Sequence, residues 1–397
     1  AHEVVDVQGR SYIDFSSGAC TQILGYKRND LLDVFTKQSR RVASICTPYT
    51  ISPIVNEYAK ELAKSTGIAD ARVLFGCTGS DAVEAAIAVA LAFGGRKPLI
   101  VFEGAYHAGS LLGSGANGFN GLRHCEKESS PLFIRLPFPE HGCGAQVYRA
   151  CAQLISSDSC AGVLMETVQG DGGVKEPEKN FLPRIRALLT RYNKLLILDE
   201  IQSGLMRTGT LWAYKQYGVI PDIMCSGKGL GGGYAALSAC IGRADVINSL
   251  SRGGHVFSMS GHPPSVAVGL AVLRVLKKEK IAIHVRRVSD DVCQEFLALR
   301  SLPIFAGVRG RGLMLGLVLR SHDSIGPVIG RMALERGVYL GFYGDKNNVL
   351  RIQPALTIPR STARRAARSI VRVCREYARK PEYYLQKYST SSAFEFA

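Results

Sequence analysis

Short uninterrupted apolar runs punctuate the middle of the chain, at 99–102, 162–165, 195–198, 222–225 and 237–241. Turn residues bound each run and helical stretches separate most of them, the pattern of strands buried on both faces of a mostly parallel sheet with helices on either side. In such sheets ligands gather at the carboxyl ends of the strands. The first residues, AHEVVDVQGRSYIDF, alternate apolar and polar positions as a half-exposed strand does. They start abruptly in what reads as folded sequence, so further residues are expected upstream. From about Pro263 the pattern changes. A helix over 264–278 leads into strands and helices that include 312–320, 325–336 and 349–354. These patterns predict an α/β protein with a large domain over 46–263 and a smaller α+β domain built from 1–45 and 264–397.

Composition narrows the class. The chain has 397 residues, more than one typical domain, and 46% hydrophobic content with 42 glycines suits a compact α/β enzyme with many tight turns. No run of eighteen apolar residues or more appears and the start carries no basic-then-apolar signal, so no membrane association is expected. Eleven cysteines, an odd number without a CxxC pair, argue against a disulfide framework or a zinc cluster and for a reducing, cytoplasmic setting. Cys77, Cys225 and Cys240 read as small core residues. The net charge of +16 raises the question of nucleic acid. Its densest cluster, Arg360, Arg364, Arg365, Arg368, Arg372, Arg375 and Arg379, lies over Ala363, Ala366, Ile370, Val373 and Tyr377 at helical spacing, after a Ser361 cap. That is a solvated helix face or an attractor of anionic substrates, and no nucleic-acid motif accompanies it.

Four segments carry candidate chemistry, most of them just past an apolar run. In LLILDEIQ (195–202) a buried strand delivers Asp199, and a buried carboxylate needs a positive or donor partner. A protonated pyridine nitrogen is one such partner; Arg207 is the ordinary alternative. In SGKGLGGG (226–233) Lys228 stands among glycines that let backbone and ligand approach closely, in an apolar setting suited to a Schiff-base lysine. A phosphate loop or a plain turn is the alternative, but neither GxxxxGK[ST] nor GxGxxG fits. In CTGSDAVEAA (77–86) Gly79 and Ser80 open a helix and offer free amides and a hydroxyl to an anion. Asp81 works against that, and a simple Ser/Asp cap is the plainer reading. In GAYHAG (104–109) Tyr106 can stack on a heteroaromatic ring, or pack in the core, and His107 reads as a hydrogen-bonded core histidine. Together an anion turn, an aromatic, an acid and a lysine hold everything that a phosphate-bearing pyridine aldehyde requires.

Over nearly its whole length the sequence resembles the class III, ornithine/acetylornithine-type aminotransferases of pyridoxal-phosphate fold type I. The resemblance rests on TGSDAVEAA, FEGAYHAGS, METVQGDGGV, LILDEIQSGLMRTG, PDIMCSGKGLGGG, SGHPPSVAVGLAVL, RGRGLMLG and VLRIQPALTI. It implies a large domain around a seven-stranded-type sheet, pyridoxal 5'-phosphate as cofactor, an amino donor and a keto acceptor as substrates, and a homodimer with shared active sites. By position it implies that Gly79 and Ser80 bind the phosphate and that Tyr106 covers the ring, with His107 beside it. Asp199 would pair with the pyridine nitrogen, Gln202 with the 3′-oxygen, and Lys228 would form the Schiff base. Ser258 stands where the family has a threonine that reaches the neighbouring subunit's phosphate. Arg351 stands at the clamp for a substrate carboxylate, Asp171 at an acid that pairs with that arginine or faces the substrate, and Glu166 at a strand-end acid near the cofactor. Cys77 and His262 depart from the family's asparagines, and the tail from Lys380 has no counterpart.

Transamination is the reading these features favour. GSDAVEAA, GKGLGGG, PPSVAVGLAVL and NVLRIQPALTI also resemble the amino-acid and amino-lactam racemase branch, where Asp171 would be the second proton donor. Gln202 and Arg351 depart from the lactam racemase. DFSSGACTQILGY resembles decarboxylating transaminases, with Ala19 in place of their glutamine. A noncatalytic scaffold on the same fold is the remaining alternative, against which intact Lys228, Asp199 and Arg351 argue.

Overall fold

The computed structural model describes residues 2–45, 49–50, 52–119, 130–251, 253–344 and 346–389. Its centre is a seven-stranded sheet of β3 (Ala71–Gly76), β4 (Leu99–Phe102), β5 (Phe133–Leu136), β6 (Gly162–Glu166), β7 (Leu195–Asp199), β8 (Ile223–Ser226) and β9 (Ser238–Arg243). The spatial order is β3-β9-β8-β7-β6-β4-β5. The five apolar runs are β4, β6, β7, β8 and β9. Strand β9 runs antiparallel to both its neighbours, while the pairs from β8 through β5 are parallel. Every residue of β7 is buried, as a strand covered by helices on both faces must be. Each of its four aliphatic side chains contributes about 1.5–3 kcal/mol by leaving water.

Two smaller sheets come from the chain ends. Strands β1 (Glu3–Val5) and β2 (Ser11–Asp14) are joined by β12 (Val338–Tyr339), which lies parallel to β2. Strands β10 (Phe305–Arg311), β11 (Met314–Leu319), β13 (Gly341–Tyr343) and β14 (Val349–Ile352) form an antiparallel sheet in the order β10-β11-β14-β13. The N-terminal segment thus shares a sheet with residues more than three hundred positions away.

The helix starts refine the sequence reading. Helix α1 (Gly79–Phe93) is capped by Thr78 rather than by Ser80. Asp81 Oδ2 accepts the Cys77 and Thr78 amides at 2.8 and 2.9 Å, so its charge serves the preceding turn. Helix α2 (Pro263–Lys278) starts one residue earlier than the pattern indicates, because a proline loses nothing in the first turn. Among the described residues no helix is long and apolar enough to cross a membrane. Cys225 and Cys240 are fully buried and face each other across β8 and β9, whereas Cys77 is only partly buried at the end of β3.

The arginine-rich helix α4 (Arg360–Arg379) packs Ala363, Ala366, Ile370, Val373 and Tyr377 inward as its spacing predicts. Ser361 does not cap it. Pro359 occupies the cap position, and Ser361 falls inside the first turn. Its polar face is also less free than a solvated face. Arg360 Nε and Arg364 both reach Asp291 at 2.6 Å on helix α3 (Ile281–Phe296), and Arg368 reaches Glu295 at 2.9 Å. Hydrogen bonds from the two guanidiniums hold the buried Asp291 carboxyl down to about 2. Replacing Asp291 by Asn should cost about 1–2 kcal/mol, the scale of charge-assisted bonds at a partly solvated cluster. A depressed carboxyl contributes only while ionised, so denaturant titrations should show the gap between wild type and variant closing as pH falls from about 4 towards 2.

Candidate active site

Five strand ends of the central sheet bring their following residues to one place. Gly79 and Ser80 follow β3, Tyr106 and His107 follow β4, Glu166 ends β6, Asp199 ends β7 with Gln202 after it, and Lys228 follows β8. All eight line a single cavity of about 180 Å³. Ile201 also lines it and was not singled out from the sequence; its apolar position between Glu200 and Gln202 was the available signal. A roomier cleft of about 650 Å³ between the β1–β2–β12 sheet and α4 is rimmed by Arg336, Arg365, Arg368 and Arg372 but contains none of these residues.

The turn that carries Lys228 is tight. Lys228 has φ 46°, a left-handed conformation that costs a side-chain-bearing residue about 1 kcal/mol or more and persists only where the surroundings enforce it. Its neighbour Gly227 supplies the room: a Cβ there would lie 3.2 Å from Gly79 Cα, so a side chain would push the β3 and β8 turns apart.

Asp199 is 4% exposed. Its Oδ1 accepts the Ile201 amide at 3.0 Å, and its Oδ2 meets His107 Nδ1 at 2.9 Å. Arg207, the alternative partner, turns elsewhere: it donates to the Leu313 and Pro354 carbonyls and to Ser17 Oγ. His107 is locked in turn by its amide, which donates to Asn117 Oδ1 at 2.7 Å. Among the described residues its Nε2 is buried without a partner. The carboxylate therefore takes two donors and keeps lone pairs for a third inside the cavity.

Glu166 accepts the Tyr106 amide at 3.0 Å and the Gly170 amide at 2.9 Å, which ties the aromatic turn to the end of β6. Burial raises its carboxyl to about 7, against the lowering effect of those two amides. A Cβ at position 170 would lie 1.9 Å from Gln202 Oε1, so a side chain there would displace the Gln202 amide. Gln202 also accepts a 3.4 Å bond from Gln353.

Asp171 and Arg351 lie outside the cavity lining and are paired with each other. The Arg351 side chain is 3% exposed and its Cζ sits 3.1 Å from the centre of the Tyr343 ring. Asp171 lies near enough to Tyr106 to add to the upward push that burial gives the phenol. Gln353, two residues beyond Arg351, links this pair to the cavity through Gln202. Ser258 is not brought to the cavity. It is exposed, between the exposed side chains of Val256 and Met259.

With this geometry in view, residues 2–374 match the family described as aminotransferase class-III. The chain belongs to that family. Among its relatives, the leucine/methionine racemase of Thermococcus litoralis is 31% identical over 91% of this chain and 86% of its own length. The acetylornithine aminotransferase of Agrobacterium fabrum is 32% identical over 92% and 88%. The crystal structure of the ornithine aminotransferase from Toxoplasma gondii superposes with a TM-score of 0.88 at 26% identity, covering 96% of this chain and 90% of that one. A second structure of the Toxoplasma enzyme reveals partial occupancy of pyridoxal phosphate at its active site. The family's fold is pyridoxal-phosphate fold type I, and its members here are pyridoxal-phosphate enzymes.

The buried acids give a pH test. Glu166 and Glu200 are both raised by burial from 4.5 to about 7. A raised carboxyl means that the folded protein binds its proton more tightly than the unfolded chain does. Stability from this source is full below pH 4.5 and is lost as pH rises through about 7. Urea titrations of the cofactor-free protein across this range should show Glu166→Gln removing about one proton's worth of slope.

Proposed function

We propose that this protein is an aminotransferase that moves an amino group from a carboxylate-bearing amine to a keto acid, with pyridoxal phosphate carried on Lys228. The observation that supports this most strongly is the meeting of a glycine-flanked lysine, a carboxylate with a free acceptor position, and a helix N-terminus in one cavity. The residues fit the cofactor. The first amides of the fifteen-residue α1 have no acceptor within the helix, and Gly79 and Ser80 would direct them at a phosphate. Asp199 would accept the ring N–H, Gln202 would donate to the ring hydroxyl oxygen, and Tyr106 would lie against a ring face with His107 behind Asp199.

Once bound, the cofactor supplies an electron sink for the pair left on Cα when a substrate amine loses its α-proton. The residues do the rest. Asp199, fixed by His107 and the Ile201 amide, would hold a proton on the ring nitrogen. Lys228 Nζ would be the mobile base that takes the α-proton and returns it, on the same face, to the cofactor carbon that carries the substrate nitrogen. Arg351 receives the substrate carboxylate in a bidentate grip.

Isomerisation is the second reading, because a racemase stands among the relatives at 31% identity. It requires a donor on the other face of Cα. Asp171, the candidate for that role, is paired with Arg351 in the substrate-free protein.

We also read the working form as a homodimer, supported by the exposed Val256–Met259 segment beside Cys77, whose thiol reaches the Met259 carbonyl at 3.9 Å. Ser258 on this segment would then serve the partner's phosphate. A cytoplasmic location is supported by the nine described cysteines being free thiols. A large domain over 46–263, with 1–45 and 264–397 as the smaller one, is supported by the seven-stranded sheet falling wholly within 71–243.

Lys228→Ala should lower turnover by at least about 10³-fold while absorbance shows cofactor still held without a covalent link. A mass-spectrometric screen of amino donors in heavy water should show keto product. Loss of optical activity without any keto acid would replace transamination by isomerisation.

A further inference from the structure

We infer that Tyr343 sets the carboxylate selectivity of this site, by holding the Arg351 guanidinium stationary while Asp171 gives way to a substrate carboxylate. The inference rests on the aminotransferase reading above. Strands β13 and β14 pair with Tyr343 opposite Val349, which makes Arg351 the diagonal neighbour of Tyr343 on the same face. The guanidinium carbon lies 3.1 Å from the ring centre, a face-on contact that attracts a cation without supplying a counter-charge. The next residue, Gly344, donates its amide to the Asp171 carbonyl at 3.1 Å. One short segment thus fixes both the ring beneath the arginine and the backbone of the arginine's acidic partner.

The two members of the ion pair are unequal. The Arg351 side chain is 3% exposed, whereas that of Asp171 is 24% exposed. Swinging the arginine out would strip it of the ring and rehydrate a buried pocket. Swinging the aspartate out moves a short side chain that already touches water. Among the described residues Arg351 Nε has no hydrogen-bond partner, so the guanidinium has a donor to spare for a second oxygen. An incoming carboxylate therefore exchanges with Asp171 at a fixed fork, and an amine without a carboxylate gains nothing from that fork. Tyr343 is a positioning residue: it acts through Arg351 and touches no reacting atom.

The test uses the cofactor-loaded enzyme. The best amino acid from the donor screen is compared with the amine that remains when its carboxylate is replaced by hydrogen. The half-reaction is followed by the absorbance of the cofactor. In Tyr343→Leu the KM for the amino acid should rise about tenfold and its preference over the amine should fall by a similar factor. Tyr343→Phe, which keeps the ring, should behave within about threefold of wild type. Tyr343→Met replaces the leucine variant if that one yields no holoenzyme. An unchanged preference in the ring-less variant, or equal damage from Phe and Leu, would overturn the role of Tyr343. Wild-type enzyme that forms no keto acid from any amino acid would instead remove the aminotransferase reading, a separate outcome.

Discussion

A carboxylate at the end of a fully buried strand has to be met by donors, and the arrangement of this protein follows from meeting that need at Asp199. The four aliphatic residues before it fix the strand by burial, which leaves the acid with little contact with solvent. Burying an ion costs several kcal/mol unless hydrogen bonds replace the lost solvent. The Ile201 amide supplies one. His107 supplies the other, and it can do so only because Asn117 grips the turn after β4, accepting the His107 amide and donating to the Ala108 carbonyl. A strand-end acid thereby dictates the conformation of a turn two strands away.

The lysine is placed by a different constraint. After β8 the chain must turn back to run antiparallel as β9, and a glycine-rich turn is the means. Lys228 sits at the first position of that turn in a left-handed conformation, with Gly227 pressed against Gly79. This close approach places the N-terminus of α1 beside Lys228 in the same cavity.

Arg207 joins the central sheet to the outer ones. Buried to 1% exposure, without a carboxylate in hydrogen-bond contact among the described residues, it satisfies carbonyls from the β10–β11 turn and from the segment after β14, together with the Ser17 hydroxyl. Burial pulls its pKa down, with only a weak counter-effect from Cys20 and Asp14. It was read from the sequence as a possible partner for Asp199. It instead ties together the β10–β11 turn, the segment after β14 and Ser17.

The sequence by itself determined the layers and most of the residues that line the cavity. Apolar runs of four or five residues have one stable solution, a doubly covered sheet, and chemistry-bearing residues that directly follow such runs fall at the strand ends. That is why Tyr106, His107, Asp199 and Lys228 were legible, with Gly79 and Ser80 read as a helix start, whereas Glu166 and Gln202 entered only through the resemblance to the family. What only the tertiary structure decided were contacts between segments with no sequence relation. The choice of His107 over Arg207 for Asp199 depends on how the β4 turn packs. The ring of Tyr343 meets Arg351 only through the register of β13 on β14. The arginines of α4 became a staple once α3 placed Asp291 beneath them. Periodicity reports which face of an element is buried, but it is blind to which polar group arrives there from the other side.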